Sequence, residues 1–471
     1  MLFPTVEYAL FFLLSLCAGW GLLRFHRAHK LALLGLSYVF YGFWDWAFVP
    51  LLFGISLWAW IATRGIQQGS RPRLWLALGV AGCLGVLAYY KYTGFLLQNL
   101  VTLAGDFGIT LRLEYDSPML PLGISFMSFH AISLMMDALR GKLHGKVALP
   151  DALLYVAFFP QLIAGPILRA SQFLPQLQQA PDPTRIETGR ALQLIFVGLF
   201  KKVVIANTLA GLIVDDVFAN PGALSASQVL LGIYGYAVQI YCDFSGYTDI
   251  AIGCALLLGY RFPLNFNAPY TAASPQEFWH RWHISLSSWL RDYLYIPLGG
   301  SRKGSWRTRI NLMVTMLLGG LWHGAAWNFV LWGGWHGLLL VLHRQWEGFW
   351  RGRTDGGWRA SRWWPWVARL LLFHAVCLGW VLFRADSMDS VQAVLTQLFV
   401  GDWGWDLPLG AVLCVLLGIG LQYLPERWHL RWQLAAMRLQ PLAHGAAFAA
   451  LLVLIEVLGP SDPAPFIYFQ F

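Results

Sequence analysis

Charge is scarce in this chain. Only 12% of its 471 residues are Asp, Glu, Lys or Arg, and 57% are hydrophobic, against about 25% and about 45–50% in soluble domains. Mean hydropathy is +0.54. That scarcity excludes a soluble enzyme, a disordered chain and a nucleic-acid-binding module. No polar linker divides the sequence, so residues 1–471 read as a single membrane domain. The six cysteines all sit in apolar stretches and form no C-x-x-C pair, as expected of small buried hydrophobes. The N-terminal stretch has no basic n-region and no A-x-A site, so the first apolar run reads as a spanning helix rather than a signal peptide. There is no P-loop, no G-x-G-x-x-G after a strand and no G-x-S-x-G elbow.

What the sequence does have is apolar runs, aromatic residues and short basic loops. The runs fall at about 7–23, 31–45, 47–63, 74–90, 118–136, 150–168, 191–213, 226–242, 245–260, 309–322, 325–342, 366–384, 407–424 and 443–459. A spanning helix needs about 20 residues, so some runs must be re-entrant or shielded inside the bundle. The expectation is an all-α polytopic membrane protein with about eleven to thirteen spans plus re-entrant or interfacial helices. The 25 Trp, 31 Phe and 18 Tyr suit many helix ends at a membrane interface. The net charge of +9 comes from Lys and Arg in short loops, a pattern the positive-inside rule explains better than nucleic acid does. Residues 24–30, 64–73, 140–146 and 344–363 are therefore placed in the cytoplasm. Residues 105–117, richer in acid, are placed outside, as is Met1.

Residues 261–308 are too polar to span and too aromatic for an ordinary loop. Ser274-Pro275-Gln276-Glu277 is a capping box with Pro at the first helical position. It predicts one helix running to about Leu294, with Trp282, Leu286 and Trp289 on one side and His283, Ser287 and Arg291 on the next.

Ionisable groups inside a membrane protein are functional candidates. His323, between Gly319-Gly320 and Gly324, lies between two apolar runs, and the glycines admit close backbone approach by a ligand. His283 is the second candidate. His280 pairs with it at i, i+3, but no third ligand is in sight, so no metal is expected. His336 suits a structural or a supporting role. Asp243 and Asp249 lie between two apolar runs. They suit either orienting a histidine or substrate, or capping helices beside a break at Gly246. Lys201 and Lys202 suit either snorkelling to the cytoplasmic face or contact with a phosphorylated donor. A buried His with no paired Ser or Cys nucleophile suits direct proton abstraction from an incoming hydroxyl.

At these residues the sequence resembles the membrane-bound O-acyltransferase family, most closely its bacterial branch that O-acetylates exopolysaccharides such as alginate and cellulose. The shared stretches are Leu120–Phe126, Phe159–Ile167, Gln239–Asp249, Phe278–Gly300, Leu321–Phe329, Trp380–Ala385 and the ending Pro465–Phe471. The resemblance implies a ring of membrane helices around a central tunnel, with a catalytic core over about 118–345. It makes His323 the catalytic histidine and His283 a second active-site histidine. Asp243, Asp249, Asn328 and His336 become supporting candidates, and Lys201, Lys202, Arg281 and Arg291 donor-binding candidates. It also implies acetyl-CoA as donor substrate and no bound cofactor. The implied partners are periplasmic SGNH-type acetyltransferases within an exopolysaccharide synthesis and secretion complex, at the bacterial inner membrane. His280 departs from the branch, where Arg is expected, and the chain is short towards its C-terminus for an alginate-type member, which leaves alginate against cellulose open. A transporter and a non-catalytic scaffold subunit are the alternatives. The first predicts inverted repeats, which are not visible, and the second leaves the histidine-bearing 261–308 segment without a purpose.

Overall fold

The computed structural model describes residues 3–111, 115–350 and 361–425, and single positions between 427 and 467. The expected span at 443–459 lies outside the continuous described stretch, as does the 351–360 part of the last basic loop. Among the described residues every regular element is helical. Among the described residues four helices are long and apolar enough to cross a membrane: Trp46–Gln68, Pro72–Asp106, Thr188–Ala219 and Trp364–Arg384. The chain is a polytopic membrane protein, and its helices divide between two compact units, residues 1–191 with 251–263, and residues 192–250 with 264–471.

In the first unit the helices Val6–Gly21, His26–Gly42 and Val49–Gln68 follow one another through very short turns. The basic stretch 24–30 is accordingly not a loop. All but its first two residues form the start of the second helix, because two tightly connected helices leave no room for seven linking residues. His29 is buried there, with ring contacts to Gly19 O at 2.8 Å and the Tyr260 hydroxyl at 3.2 Å. Lys30 pairs with Asp151 at 2.6 Å. The apolar run 150–168 is not a continuous span either. It breaks into Leu149–Ala157 and the single turn Phe159–Leu162, since Pro160 and Pro166 cannot continue a helix. Its residues are almost all buried among Phe158, Phe173, Tyr260 and Phe262, so the irregular backbone is shielded from lipid as expected.

In the second unit the runs 226–242 and 245–260 merge into one 32-residue helix, Ala226–Leu257, which continues beyond the unit's edge. No break occurs at Gly246. That glycine instead meets Gly198 of the Thr188–Ala219 helix: a Cβ on Gly246 would stand 2.7 Å from the Gly198 carbonyl oxygen, and one on Gly198 2.5 Å from the Gly246 oxygen. Small residues thus let two backbones touch. At this crossing the Thr188–Ala219 helix widens into a π-helical turn, Phe200–Ala206. The wide turn lets the adjacent Lys201 and Lys202 both reach the neighbouring helix.

Candidate active site

The helices Gly304–His323 and Trp327–Trp350 form a hairpin with only Gly324, Ala325 and Ala326 between them. His323 is the last residue of the first helix. The hairpin can be this tight because a Cβ on Gly320 would collide with the Phe329 carbonyl, one on Gly333 with the Met316 carbonyl, and one on Gly324 with the Phe329 ring. Two of the glycines around His323 therefore serve helix packing rather than ligand approach. Gly319 alone of the three lines the adjoining cavity.

That cavity, about 1980 Å³, runs through the second unit. His323, 4% exposed, is in its inner wall with Thr315, Met316 and Trp332. His280, Arg291, Arg309 and Arg344 also line it. His280, Arg291, Arg344 and Glu347 are exposed, so the cavity reaches the surface through a charged rim in which arginine predominates. Neither Arg309 nor Arg344 is a site candidate from the sequence, where Arg344 reads only as the start of the basic stretch 344–363 and Arg309 as a charge flanking an apolar run. His280 shares the cavity with His323.

The His323 ring is fixed by aromatic edges: Trp322 at 4.9 Å, Trp332 at 5.0 Å and Phe383 at 5.3 Å between centroids. His336 lies behind Trp332 at 4.9 Å, against Phe278 and Trp279. It reaches the His323 ring through that tryptophan and, by a longer route, through Trp380 and Phe383. Asn328 sits one position into the second helix and donates to Ala385 O at 2.6 Å, tying the hairpin to the end of the Trp364–Arg384 helix.

The predicted Ser274 cap forms, with its Oγ accepting from Glu277 N at 3.1 Å, but the box is not reciprocal, since the Glu277 carboxylate accepts from Ala273 N at 2.8 Å rather than from Ser274 N. The helix it opens does not run to Leu294. It stops at Arg281 and restarts at Ile284. The break is at His283, whose φ of 42° and ψ of 54° are left-handed, a conformation that non-glycine residues avoid. Asn265 holds the break. Its carbonyl oxygen accepts from Ile284 N at 2.9 Å, and its Oδ1 accepts from Ser285 N at 3.0 Å and Ser285 Oγ at 2.8 Å. Oδ1 also meets His283 Nδ1 at 3.3 Å. No local motif links Asn265 to a histidine 18 positions later, which is why the sequence alone did not reveal it. Trp282, Leu286 and Trp289 are buried as expected.

His283 is fully buried, between Phe244 at 4.6 Å, Phe266 at 6.3 Å and Trp322 at 6.3 Å. On this non-spanning segment, burial pushes its imidazolium down to about 3, so the ring is neutral. Trp322 thus contacts both histidine rings, His283 at 6.3 Å and His323 at 4.9 Å.

The remaining candidates are held in ion pairs. Lys201 pairs with Asp249 at 2.7 Å and Lys202 with Asp243 at 2.5 Å. Asp243 also accepts from Ile467 N at 2.9 Å. Both carboxylates sit mid-helix, so neither caps a break. Arg281 bonds Glu277 at 2.9 Å and Asn267 O at 3.1 Å, while Arg291 pairs with its neighbour Asp292 at 2.7 Å beside the cavity. Among the described residues no three His, Cys, Asp or Glu side chains group as metal ligands would.

Residues 82–383 match the model of the membrane-bound O-acyltransferase family. The chain is similar to the probable alginate O-acetylase AlgI of Azotobacter vinelandii, 42% identical over 400 residues that cover 84% of this chain and 77% of that protein. AlgI of Pseudomonas putida is 40% identical over 401 residues, 84% and 80% of the two chains. The peptidoglycan O-acetyltransferase of Helicobacter pylori is 37% identical over 395 residues, 78% and 73%. A helical membrane chain, matched by this family across most of its length and carrying a buried histidine at the wall of an arginine-rimmed cavity, is an acyltransferase and belongs to the membrane-bound O-acyltransferase family.

Proposed function

We propose that this chain is the membrane subunit that O-acetylates a bacterial exopolysaccharide of the alginate type, with acetyl-CoA as donor, at the inner membrane. The observation that carries the reading is His323: a buried imidazole in the wall of a cavity whose outer rim carries Arg291, Arg309 and Arg344. Guanidinium groups suit the phosphates of a coenzyme A thioester. His323 then takes the proton from the acceptor hydroxyl as its oxygen attacks the acetyl carbon. The tetrahedral adduct collapses, the C–S bond breaks, and the coenzyme leaves as a thiol after reprotonation. His283 touches the same Trp322 and orients the reactants. Lys201, Lys202 and Arg281, each held by a carboxylate, position helices rather than the donor. Asp243, Asp249, Asn328 and His336 support the site from behind.

The test is to incubate the purified protein with radiolabelled acetyl-CoA and follow the label. Transfer to a polymer or protein hydroxyl supports the reading, and an inert thioester refutes it. A transporter would instead move solute with no acyl transfer.

A transferase with short outer loops needs help to work along a growing polymer. We therefore expect a relay to a separate periplasmic acetyltransferase of the SGNH type, within a synthesis and secretion complex. Deleting such partners should abolish polymer acetylation while this protein stays folded and consumes acetyl-CoA slowly. Full polymer acetylation by this chain alone in liposomes would overturn the relay.

The orientation follows from the basic residues at the turns near 24–30 and 64–73. Cysteines introduced at Arg27 and Arg71 should be shielded from an impermeant thiol reagent added to intact cells. Ready labelling of both would reverse the assignment.

A further inference from the structure

We infer that Asn265 is a positioning residue that locks His283 in the Nδ1–H tautomer, so that Nε2 is left as a hydrogen-bond acceptor and not as an oxyanion donor. This rests on the acyl-transfer reading above for its meaning, but not for its geometry.

Ser285 N–H can only donate, so the Asn265 atom 3.0 Å away must be the oxygen. An amide oxygen can only accept, so the ring nitrogen facing it, Nδ1 at 3.3 Å, must carry the hydrogen. The neutral ring has one hydrogen to give, and it is spent there. Nε2 is then a bare lone pair. It is buried with no hydrogen-bond partner among the described residues. Buried polar atoms are almost always satisfied, so this bare acceptor, one residue before the cavity-lining Ile284, is suited to an O–H or N–H that arrives with the substrate. The left-handed backbone at His283 supports the same view. Strain of this kind persists where the surroundings over-determine it, and here Asn265 binds both residues that follow the histidine. An oxyanion needs a donor, which this tautomer cannot supply at Nε2.

The groups facing the ring leave Asn265 in control of its protonation. Phe244, Phe266 and Trp322 surround it, and none ionises near neutral pH. The ionisable neighbours of those residues in sequence are Asp243, held by Lys202, and His323.

Two measurements on the full chain in detergent test the inference. The first is nitrogen NMR of protein labelled with 15N-histidine, the His283 signals being identified by their loss in His283→Gln. The expected result is a protonated Nδ1 and an unprotonated Nε2 from pH 6 to pH 8. A protonated Nε2 overturns the inference whether or not the protein acts on acetyl-CoA. The second measurement is the pH profile of acetyl transfer in Asn265→Asp. The carboxylate keeps both acceptor roles but favours the imidazolium. The ring then loses its acceptor as pH falls, and at a higher pH than in the wild type. The acid limb should therefore move up by about one pH unit or more. A profile that only drops in height, with its limbs in place, would make Asn265 merely structural. If the wild type transfers no acetyl at all, the functional reading fails and the NMR result still decides the tautomer.

Discussion

Replacing His323 by Ala should cut acetyl transfer by at least about 10²–10⁴-fold at matched membrane expression, the usual worth of a general base. The effect should fall on the chemical step. His323 ends its helix, so removing its ring deletes no helical hydrogen bond. The ring's packing against Trp322, Trp332 and Phe383 is lost, but the Gly320–Phe329 and Gly324–Phe329 contacts that close the hairpin remain. The variant should therefore reach the membrane in normal amounts and still bind donor through the arginine-rich rim. His280→Ala is the useful contrast. That side chain also lines the cavity but is exposed at its outer part, so its loss should weaken donor binding more than it slows turnover. Near-normal activity in His323→Ala would move the search for the base to the other cavity-lining residues.

The features legible in the sequence were those with local signals. Low charge and repeated apolar runs gave the membrane class. Ser274 marked a real helix cap, and the Leu321–Phe329 stretch pointed to the histidine that the cavity displays. Features that depend on distant partners were not legible. Asp243 and Asp249 read as either orienting a histidine or substrate or capping helices at a break, because a pair of carboxylates in an apolar run is costly. The cost disappears once Lys201 and Lys202 arrive from another helix. The basic stretch 24–30 looked like a loop because sequence alone does not show that Lys30 has Asp151 to meet. His283 looked like an ordinary helical position for the same reason, since the break there depends on Asn265.

The Lys202–Asp243 pair leads to the other large expected effect. Both side chains are nearly sealed from solvent, 2% and 3% exposed, at a crossing where Gly198 and Gly246 bring the backbones together. Removing one partner of a buried pair leaves the other uncompensated and typically costs about 3–5 kcal/mol, whereas replacing both by apolar groups is often neutral. Lys202→Met and Asp243→Leu should each lower the melting temperature of the detergent-solubilised protein sharply, and the double variant should recover most of the loss. The Lys201–Asp249 pair is the built-in control. It is more exposed, at 21% and 13%, so Lys201→Met should cost less. Activity should not follow stability in the double variant. Asp243 also accepts from Ile467 N, beside Phe466, which packs on Tyr247 at 4.3 Å and on Phe244 at 5.7 Å. Phe244 in turn lies edge-on against the His283 ring at 4.6 Å. A leucine at 243 cannot accept the Ile467 N–H, so Phe466 loses its anchor and Phe244 gains room to move. The double variant should therefore melt close to the wild type yet transfer acetyl several-fold more slowly. Single variants that melt like the wild type would mean that the pair holds nothing together. A double variant as unstable as the singles would mean that the two charges act independently.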